Sequence, residues 1–384
     1  MVDALDLAQR LIRCPSVTPA DAGALGVLEA ELTALGFTCH RLRFEQNGTA
    51  PVENLYARIG TASPHFCFAG HTDVVPPGDG WSHDPFAAVI EDGVLYGRGA
   101  ADMKSAIAAF VAATAKILAA GAPKGSISLL ITGDEEGVAI NGTPKMLAWL
   151  KERDEKPDHC VVGEPTSASR AGDTLKIGRR GSVNFQIKVT GAQGHVGYPQ
   201  KAKNPIPVLA QLVSQLSEHT LDKGNAHFDP SSLSFTSMDV GNDATTVIPG
   251  EARARFNIRF NDKHTPESLV GWVTDRSQRL AKESGCVIEV TPQVSGVSFL
   301  TKPGKFTQLV SDTVASVTGQ SPFFSTTGGT SDARFIKDVC PVVELGLAGA
   351  TMHKADECVA VAEIAALTDI YAALLKAYFE NPPR

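Results

Sequence analysis

Five short segments carry histidines and acids in positions suited to metal-assisted chemistry. His71 and Asp73 close the apolar run His65-Phe66-Cys67-Phe68-Ala69-Gly70. Asp102 follows YGRGAA and precedes an Ala-rich stretch. Asp134-Glu135-Glu136 ends the run SISLLIT, Glu164 ends CVVG, and His353 follows ELGLAGATM. Each has an ordinary explanation when taken singly. A lone H-x-D is commonly a polar pair at a strand end. DEE before Gly137 suits a solvated turn or a helix start, and Glu164-Pro165 suits a plain turn. Together they gather acids and histidines just past candidate strands, where ligands collect in α/β sheets. Clustered carboxylates repel one another and are costly to desolvate, and a pair of divalent cations removes that conflict.

The residue types narrow the ion. Histidine with carboxylate, and no cysteine at hand, suits Zn²⁺, Co²⁺ or Mn²⁺ at a catalytic centre rather than a thiolate structural site. Five ligands with one shared carboxylate fit a two-metal centre, its ions about 3.5–4 Å apart. Adjacent Glu135 and Glu136 allow one to bind metal while the other acts as general base. Asp73 suits the carboxylate that receives the second ring N–H of a ligating histidine.

The elements that must hold these residues follow from periodicity. Residues 3–13 and 102–120 read as helices, the second ended by Gly121 and Pro123, and the last helix spans 361–379. Between them lie short apolar runs at 66–69, 127–132, 160–163 and 341–346. Such runs separated by helices predict an α/β layer structure. The middle of the chain alternates instead. Ala254, Phe256, Ile258 and Phe260 share one face, with Arg253, Arg255, Asn257 and Arg259 on the other, as in a half-exposed antiparallel strand. Strand 183–190, helix 204–218, strands 232–240 and 252–261, helix 266–284 and strand 286–292 make a β-α-β-β-α-β, ferredoxin-like order. The expectation is a larger domain of residues 1–178 and 293–384 with a smaller α+β domain, 179–292, inserted.

Composition excludes several classes. The 384 residues are 43% hydrophobic and 20% charged, ordinary for a globular protein, and long enough for two domains. The net charge of -7 and the lack of a basic block argue against nucleic acid as partner. Acids at Asp3 and Asp6 oppose a signal peptide, and no apolar run is long enough to span a membrane. Seven scattered cysteines without a C-x-x-C spacing predict reduced thiols and a cytoplasmic location.

The motifs GHTDVVPPG (70–78), YGRGAADMKS (96–105), TGDEEG (132–137), VGEPT (162–166), IGRRGS (177–182), GHVGYP (194–199), GGTSDARF (328–335) and MHKADE (352–357) resemble the two-metal amidohydrolases of the M20 metallopeptidase type. The resemblance covers almost the whole chain. It implies a catalytic domain of zinc-peptidase type, a mixed sheet flanked by helices, and an inserted dimerisation or lid domain that closes on binding. It implies that His71, Asp102 and Glu164 hold one zinc while Glu136 and His353 hold the other, with Asp102 bridging. Cobalt or manganese can stand in for the two Zn²⁺. Glu135 matches the general base and Asp73 the carboxylate behind His71. His195 matches a residue that reaches the partner subunit's active site in a homodimer and stabilises the tetrahedral oxyanion. Arg179, Tyr198, Arg259, Gly329, Thr330 and Ser331 match positions that contact a small-molecule substrate. GGTSDARF and the stretch GHVGYPQKAKNP (194–205) resemble more particularly the branch that removes succinate from N-succinyl-LL-2,6-diaminopimelate, on the route to lysine and cell-wall precursors. Acetylornithine deacetylases and aminoacylases of the same family, and a catalytically silent metal-binding relative, are the alternatives. One position departs from the family pattern, which places Asn before Val-Ile-Pro. This chain has Thr246, a single hydroxyl in place of an amide that both donates and accepts.

Overall fold

A computed structural model of the protein describes residues 2–383. The chain divides into two compact units. The first comprises residues up to Ile177, Thr301–Ser325 and Ser331 onward; the second comprises Gly178–Leu300 and Thr326–Thr330.

The first unit is built on an eight-stranded mixed sheet. Its order is Thr38–Phe44, Val52–Ile59, Ser126–Thr132, His65–His71, His159–Val162, Val342–Glu344, Thr174–Lys176 and Phe323–Ser325. The four central strands are mutually parallel. Every residue of His65–His71 and of Ser126–Thr132 is buried, which explains why both read as unbroken apolar runs rather than alternating ones. The helix Lys104–Ala120 is buried continuously from Lys104 to Ala115. It packs with Val361–Glu380 through an aromatic cluster: Phe110 stacks on Phe68 at 4.3 Å between centroids, and Tyr371 meets Phe68 edge-on at 5.7 Å. Two glycines admit a side chain that anchors the neighbourhood of Asp102. A Cβ at Gly70 would lie 2.4 Å from the Met103 methyl, and one at Gly163 would lie 2.7 Å from it. Met103 therefore seats against the sheet only because both strands lack side chains there.

The second unit has a four-stranded antiparallel sheet in the order Ser232–Asp239, Glu251–Phe260, Gly181–Thr190, Val287–Gly296. With helices Pro205–Ser217 and Pro266–Ser284 it has the expected β-α-β-β-α-β order. The helices start where local chemistry dictates. Asn204 accepts from the amide of Ile206 at 3.0 Å, and Thr265 and Ser268 form a reciprocal cap. Gly285, at φ +68°, ends the second helix in the left-handed region that glycine adopts without strain. Phe185 stacks on Phe256 at 4.8 Å, inside a core that also holds Ile258, Phe260, Leu212 and Val273.

The domain bounds read from sequence need correction. The last strand does not stop at 292 but runs to Gly296, and Phe299–Leu300 then pairs with Gly178–Arg179, so the second unit runs on to Leu300. Residues 326–330 also belong to it. Thr326 Oγ1 donates to the carbonyl of His227 at 2.6 Å, and Arg179 donates to the carbonyl of Gly329 at 3.1 Å. All seven cysteines are free thiols. No helix among the described residues is long and apolar enough to cross a membrane.

Candidate active site

The parallel strands set the site. His71 pairs in register with Thr132, so those two strands end level, and the neighbouring strand, whose last residue Val162 pairs with Ala69, stops two residues short. His71 is the last residue of its strand, Glu135 and Glu136 follow Thr132 by a short turn, and Glu164 follows Val162. Carboxyl ends of parallel strands open onto one crevice, and these residues meet there. Asp102 enters from the loop before the buried helix, and His353 from a turn in which His353 (φ +61°) and Asp356 (φ +54°) are both left-handed. Such backbone in non-glycine residues is uncommon and concentrates at functional sites.

Asp102 lies between the two histidines. Its Oδ1 is 3.1 Å from His71 Nε2 and its Oδ2 is 3.4 Å from His353 Nε2. His353 Nε2 is also 2.8 Å from Glu136 Oε1, and His71 Nε2 is 3.8 Å from Glu164 Oε1. Two overlapping groups result: His71, Asp102 and Glu136, and His71, Glu135 and Glu164, each with donor atoms within 4.8 Å of one another. These are the only two such groups of three or more His, Cys, Asp and Glu among the described residues. The donor set is imidazole plus carboxylate without thiolate, as divalent zinc, cobalt or manganese prefer. The cluster is buried at His71 and open at His353, whose side chain is 47% exposed.

The charges respond to this crowding. Burial alone pulls the His71 imidazole down, but Asp102, Glu164 and Asp73 together carry its pKa well above the ordinary value. Burial likewise opposes ionisation of Asp102, yet its bonds to His353 and His71 hold it below the usual carboxylate range. Hydrogen bonds to Asp102 and Glu136 raise His353 to about 10. Glu135 goes the other way. Burial first, then the nearby charge of Glu164, pushes its carboxyl well above the ordinary value. A carboxylate with raised proton affinity is suited to taking up a proton near neutrality.

Asp73 is placed differently from the sequence-based expectation. His71 Nδ1 lies 2.9 Å from the carbonyl of Asp73 and 3.7 Å from its carboxylate. The carboxylate instead accepts from the amides of Glu135 (3.3 Å) and Glu136 (3.0 Å). Asp73 thus orients the histidine through its main chain and the two glutamates through its side chain. Burial raises it to about 6, against the pull of His71 and those amides. Asp134, given no role from sequence, holds the same loop: its Oδ2 accepts from the amides of Ile140 and Asn141, both at 2.8 Å. Its place in a DEE triplet is a signal, but which acid turns inward depends on the closed loop. Ser331 departs from expectation as well. It is fully buried, and its hydroxyl donates to Glu344 rather than facing an open surface.

The remaining candidates lie in the second unit and form two groups. His195, Tyr198 and Thr246 lie at one short two-stranded ladder, where Gly194–His195 pairs with Val247–Ile248 and the amide of Val196 donates to the carbonyl of Thr246. His195 is exposed, accepts from the amide of Gly197 at Nδ1 (2.9 Å), and lies 5.8 Å from the ring of the exposed Tyr198. Arg179 and Gly329 meet through the bond already given, with Thr330 next in the chain. Arg259 is half-buried. Its Nη1 and the Nε of Arg180 are enclosed without a hydrogen-bond partner. Burial, and then the charge of Arg180, lower the pKa of Arg259.

Residues 67–377 match the model of peptidase family M20/M25/M40, and the chain belongs to that family. It is similar to the succinyl-diaminopimelate desuccinylase of Parvibaculum lavamentivorans, 58% identical over 98% of this chain and 96% of the relative. It is equally similar, at 58% identity, to that of Rhodopseudomonas palustris strain BisB5, over 99% of both chains. Among solved structures, a dinuclear metal-binding M20 peptidase from Bacillus subtilis shares the fold: the TM-score is 0.72 at 16% identity, over 98% of both chains.

Proposed function

We propose that this chain hydrolyses N-succinyl-LL-2,6-diaminopimelate to succinate and LL-2,6-diaminopimelate at a centre of two divalent metal ions. The observation that carries the reading is Asp102, which presents one carboxylate oxygen to His71 and the other to His353. Its support in substrate choice is the 58% identity to desuccinylases over nearly the full chain. His71 and Glu164 would hold one Zn²⁺, Glu136 and His353 the other, with Asp102 shared; Co²⁺ or Mn²⁺ suits the same donors. When bound, such a pair supplies Lewis acidity and an acidified water.

The chain's own residues supply the rest. Glu135 accepts a proton at its carboxylate and delivers it to the leaving amine nitrogen as the C–N bond breaks. Asp73 keeps Glu135 and Glu136 at a fixed separation by holding both amides. Arg179 and Arg259 receive substrate carboxylates, and the enclosed unpartnered donors of Arg259 and Arg180 are what an anion would complete. Tyr198, Thr246, Gly329 and Thr330 complete the substrate contacts. Ser331, enclosed with Glu344, acts by shaping its loop. The second unit serves as the dimerisation and lid domain of a cytoplasmic homodimer, and the exposed His195 reaches the partner's active site to stabilise the oxyanion.

The test is a metal-reconstituted assay of succinyl-diaminopimelate beside acetylornithine, with Thr246→Asn run in parallel. The expected result is turnover of the succinylated substrate alone, with a few-fold lower KM in the variant as the amide adds a hydrogen bond. Preference for acetylornithine would overturn the substrate assignment, and metal-bound protein inactive on both would overturn catalysis.

A further inference from the structure

Glu357 ends the segment that begins at His353, and no step above uses it. It is fully buried beside Arg98, which is 1% exposed. Local pairing brings it there. Cys358–Ala360 runs antiparallel to Val94–Tyr96, Cys358 lies opposite Tyr96, and the amide of Gly97 donates to the Glu357 carbonyl at 2.9 Å. The side chain then turns into the loop that leads to Asp102. Its Oε1 accepts from the amides of Ala101 (2.9 Å) and Asp102 (3.0 Å). Its Oε2 accepts from Arg98 Nη1 (2.6 Å) and from the amide of Gly99 (3.2 Å). Arg98 in turn donates to the carbonyls of Pro76 and Pro77, just beyond His71 and Asp73.

We propose that Glu357 is the positioning residue for the shared carboxylate of the metal centre: it holds the Asp102 amide so that Asp102 faces His71 and His353 at once. One segment then does two things. His353 contributes a ligand, and Glu357, four residues on, sets the direction of the carboxylate that ligand shares. An acid is required because both oxygens already accept two hydrogen bonds each. A glutamine would turn its NH2 toward the Ala101 and Asp102 amides or toward Arg98, whichever way it lay. Arg98 offsets the charge, which limits the repulsion that this acid adds to a site already rich in carboxylates. Outer partners of metal ligands commonly matter for affinity by about 10–100-fold. The inference rests on the two-metal reading.

The test uses full-length, metal-free protein titrated with Co²⁺, followed by calorimetry and by visible absorption of the bound ion. Wild type, Glu357→Gln and Arg98→Lys are compared. The wild type takes up two ions. Glu357→Gln binds the pair of ions about 10–100-fold more weakly and shows an altered cobalt spectrum. Arg98→Lys retains the carboxylate on the Asp102 amide; it loses thermal stability while its titration stays near wild type. Should Glu357→Gln fail to fold, Glu357→Asp gives the same readout. It keeps the charge opposite Arg98 but is one methylene short of the Asp102 amide. Two ions in wild type with an unchanged titration in the Glu357 variants overturns the inference alone, as does equal weakening in Arg98→Lys. Fewer than two ions in wild type overturns the two-metal reading and the inference with it.

Discussion

The two units solve opposite problems with their sheets. In the first, strands His65–His71 and Ser126–Thr132 are buried on both faces, so side chains carry no inside-outside alternation. What distinguishes one position from another is where the strand stops. In the second, Glu251–Phe260 alternates, with Ala252, Ala254, Phe256, Ile258 and Phe260 buried and Arg253 and Arg255 exposed. There, the face decides what a residue does. Parallel strands ending within two residues of one another bring His71, Glu135, Glu136 and Glu164 to one edge. Antiparallel strands share no such edge, and the second unit carries its candidate residues on a sheet strand and two short ladders. On the proposed reading, proton transfer and metal binding belong to strand ends, whereas anion recognition belongs to arginines set into the second unit's strands, Arg179 buried and Arg259 half-buried.

The largest effect that tests this division is at Glu135. Glu135→Ala removes the proton carrier while leaving His71, Asp102, Glu136, Glu164 and His353 in place. Turnover falls by about 10³-fold with both metals retained, measured by steady-state kinetics and elemental analysis. Near-normal turnover would assign the base elsewhere.

Next in size is a test of the second unit's part. Glu135→Ala and His195→Ala are each nearly inactive as purified homodimers. Mixed in equal amounts and allowed to exchange subunits, they regain about a quarter of wild-type activity if His195 acts across the dimer, since each heterodimer then has one complete site. No recovery after confirmed exchange would place His195 in its own subunit's chemistry.

Phe256→Ala probes the insert's core, where the ring stacks on Phe185 and is 2% exposed. It costs about 3–5 kcal/mol, read by denaturant unfolding, with protection lost first in residues 178–300 by hydrogen exchange. Equal loss of protection in the first unit would show that the two do not unfold separately.

The smallest effect separates the units by acid sensitivity. His65, 3% exposed and 2.7 Å from the Ser128 hydroxyl at Nε2, is pulled down to about 4, mainly by burial and then by Arg58. Its folded pKa lies below its unfolded value, about 6.5. Between those values the unfolded chain binds the extra proton, so the contribution of His65 is lost as pH falls from about 6.5 to 4 and is fully present above that window. In the second unit Asp222 is held low against its burial by bonds from Ser231, the Gly224 amide and Asn261. Its contribution persists until pH falls below the ordinary aspartate range. Segment-resolved unfolding between about pH 7 and pH 5 reads the part of the first unit's slope that His65 supplies. His65→Gln removes that slope, and an unchanged slope would exclude His65 as its source.

Much of this was legible in the sequence, for reasons that differ by element. Helix Pro266–Ser284 stands where read because Thr265-Pro266 and Gly285 mark its ends chemically. The types of the site residues were legible because histidines and acids following apolar runs are conspicuous. Their exact work was less so. Whether Asp73 faces His71 or the Glu135 and Glu136 amides depends on how a loop 62 residues away in the chain closes. Ser331 follows two glycines and a threonine, as an exposed loop residue would, and only the fold encloses it with Glu344. Residues 326–330 join the second unit through His227 and Arg179, partners far off in sequence that no local pattern reveals.

The division of the chain also sets an order of events during synthesis. The second unit is nearly continuous, from Gly178 to Leu300, whereas the first needs Val342–Glu344 for its sheet and His353 for its ligands. A chain emerging from the ribosome can complete the insert while its host is still missing a central strand. On the proposed reading, the ion that depends on His353 can be captured only after the segment carrying His353 has emerged. Loading that position would thus be a checkpoint passed only once the central strand Val342–Glu344 has been made.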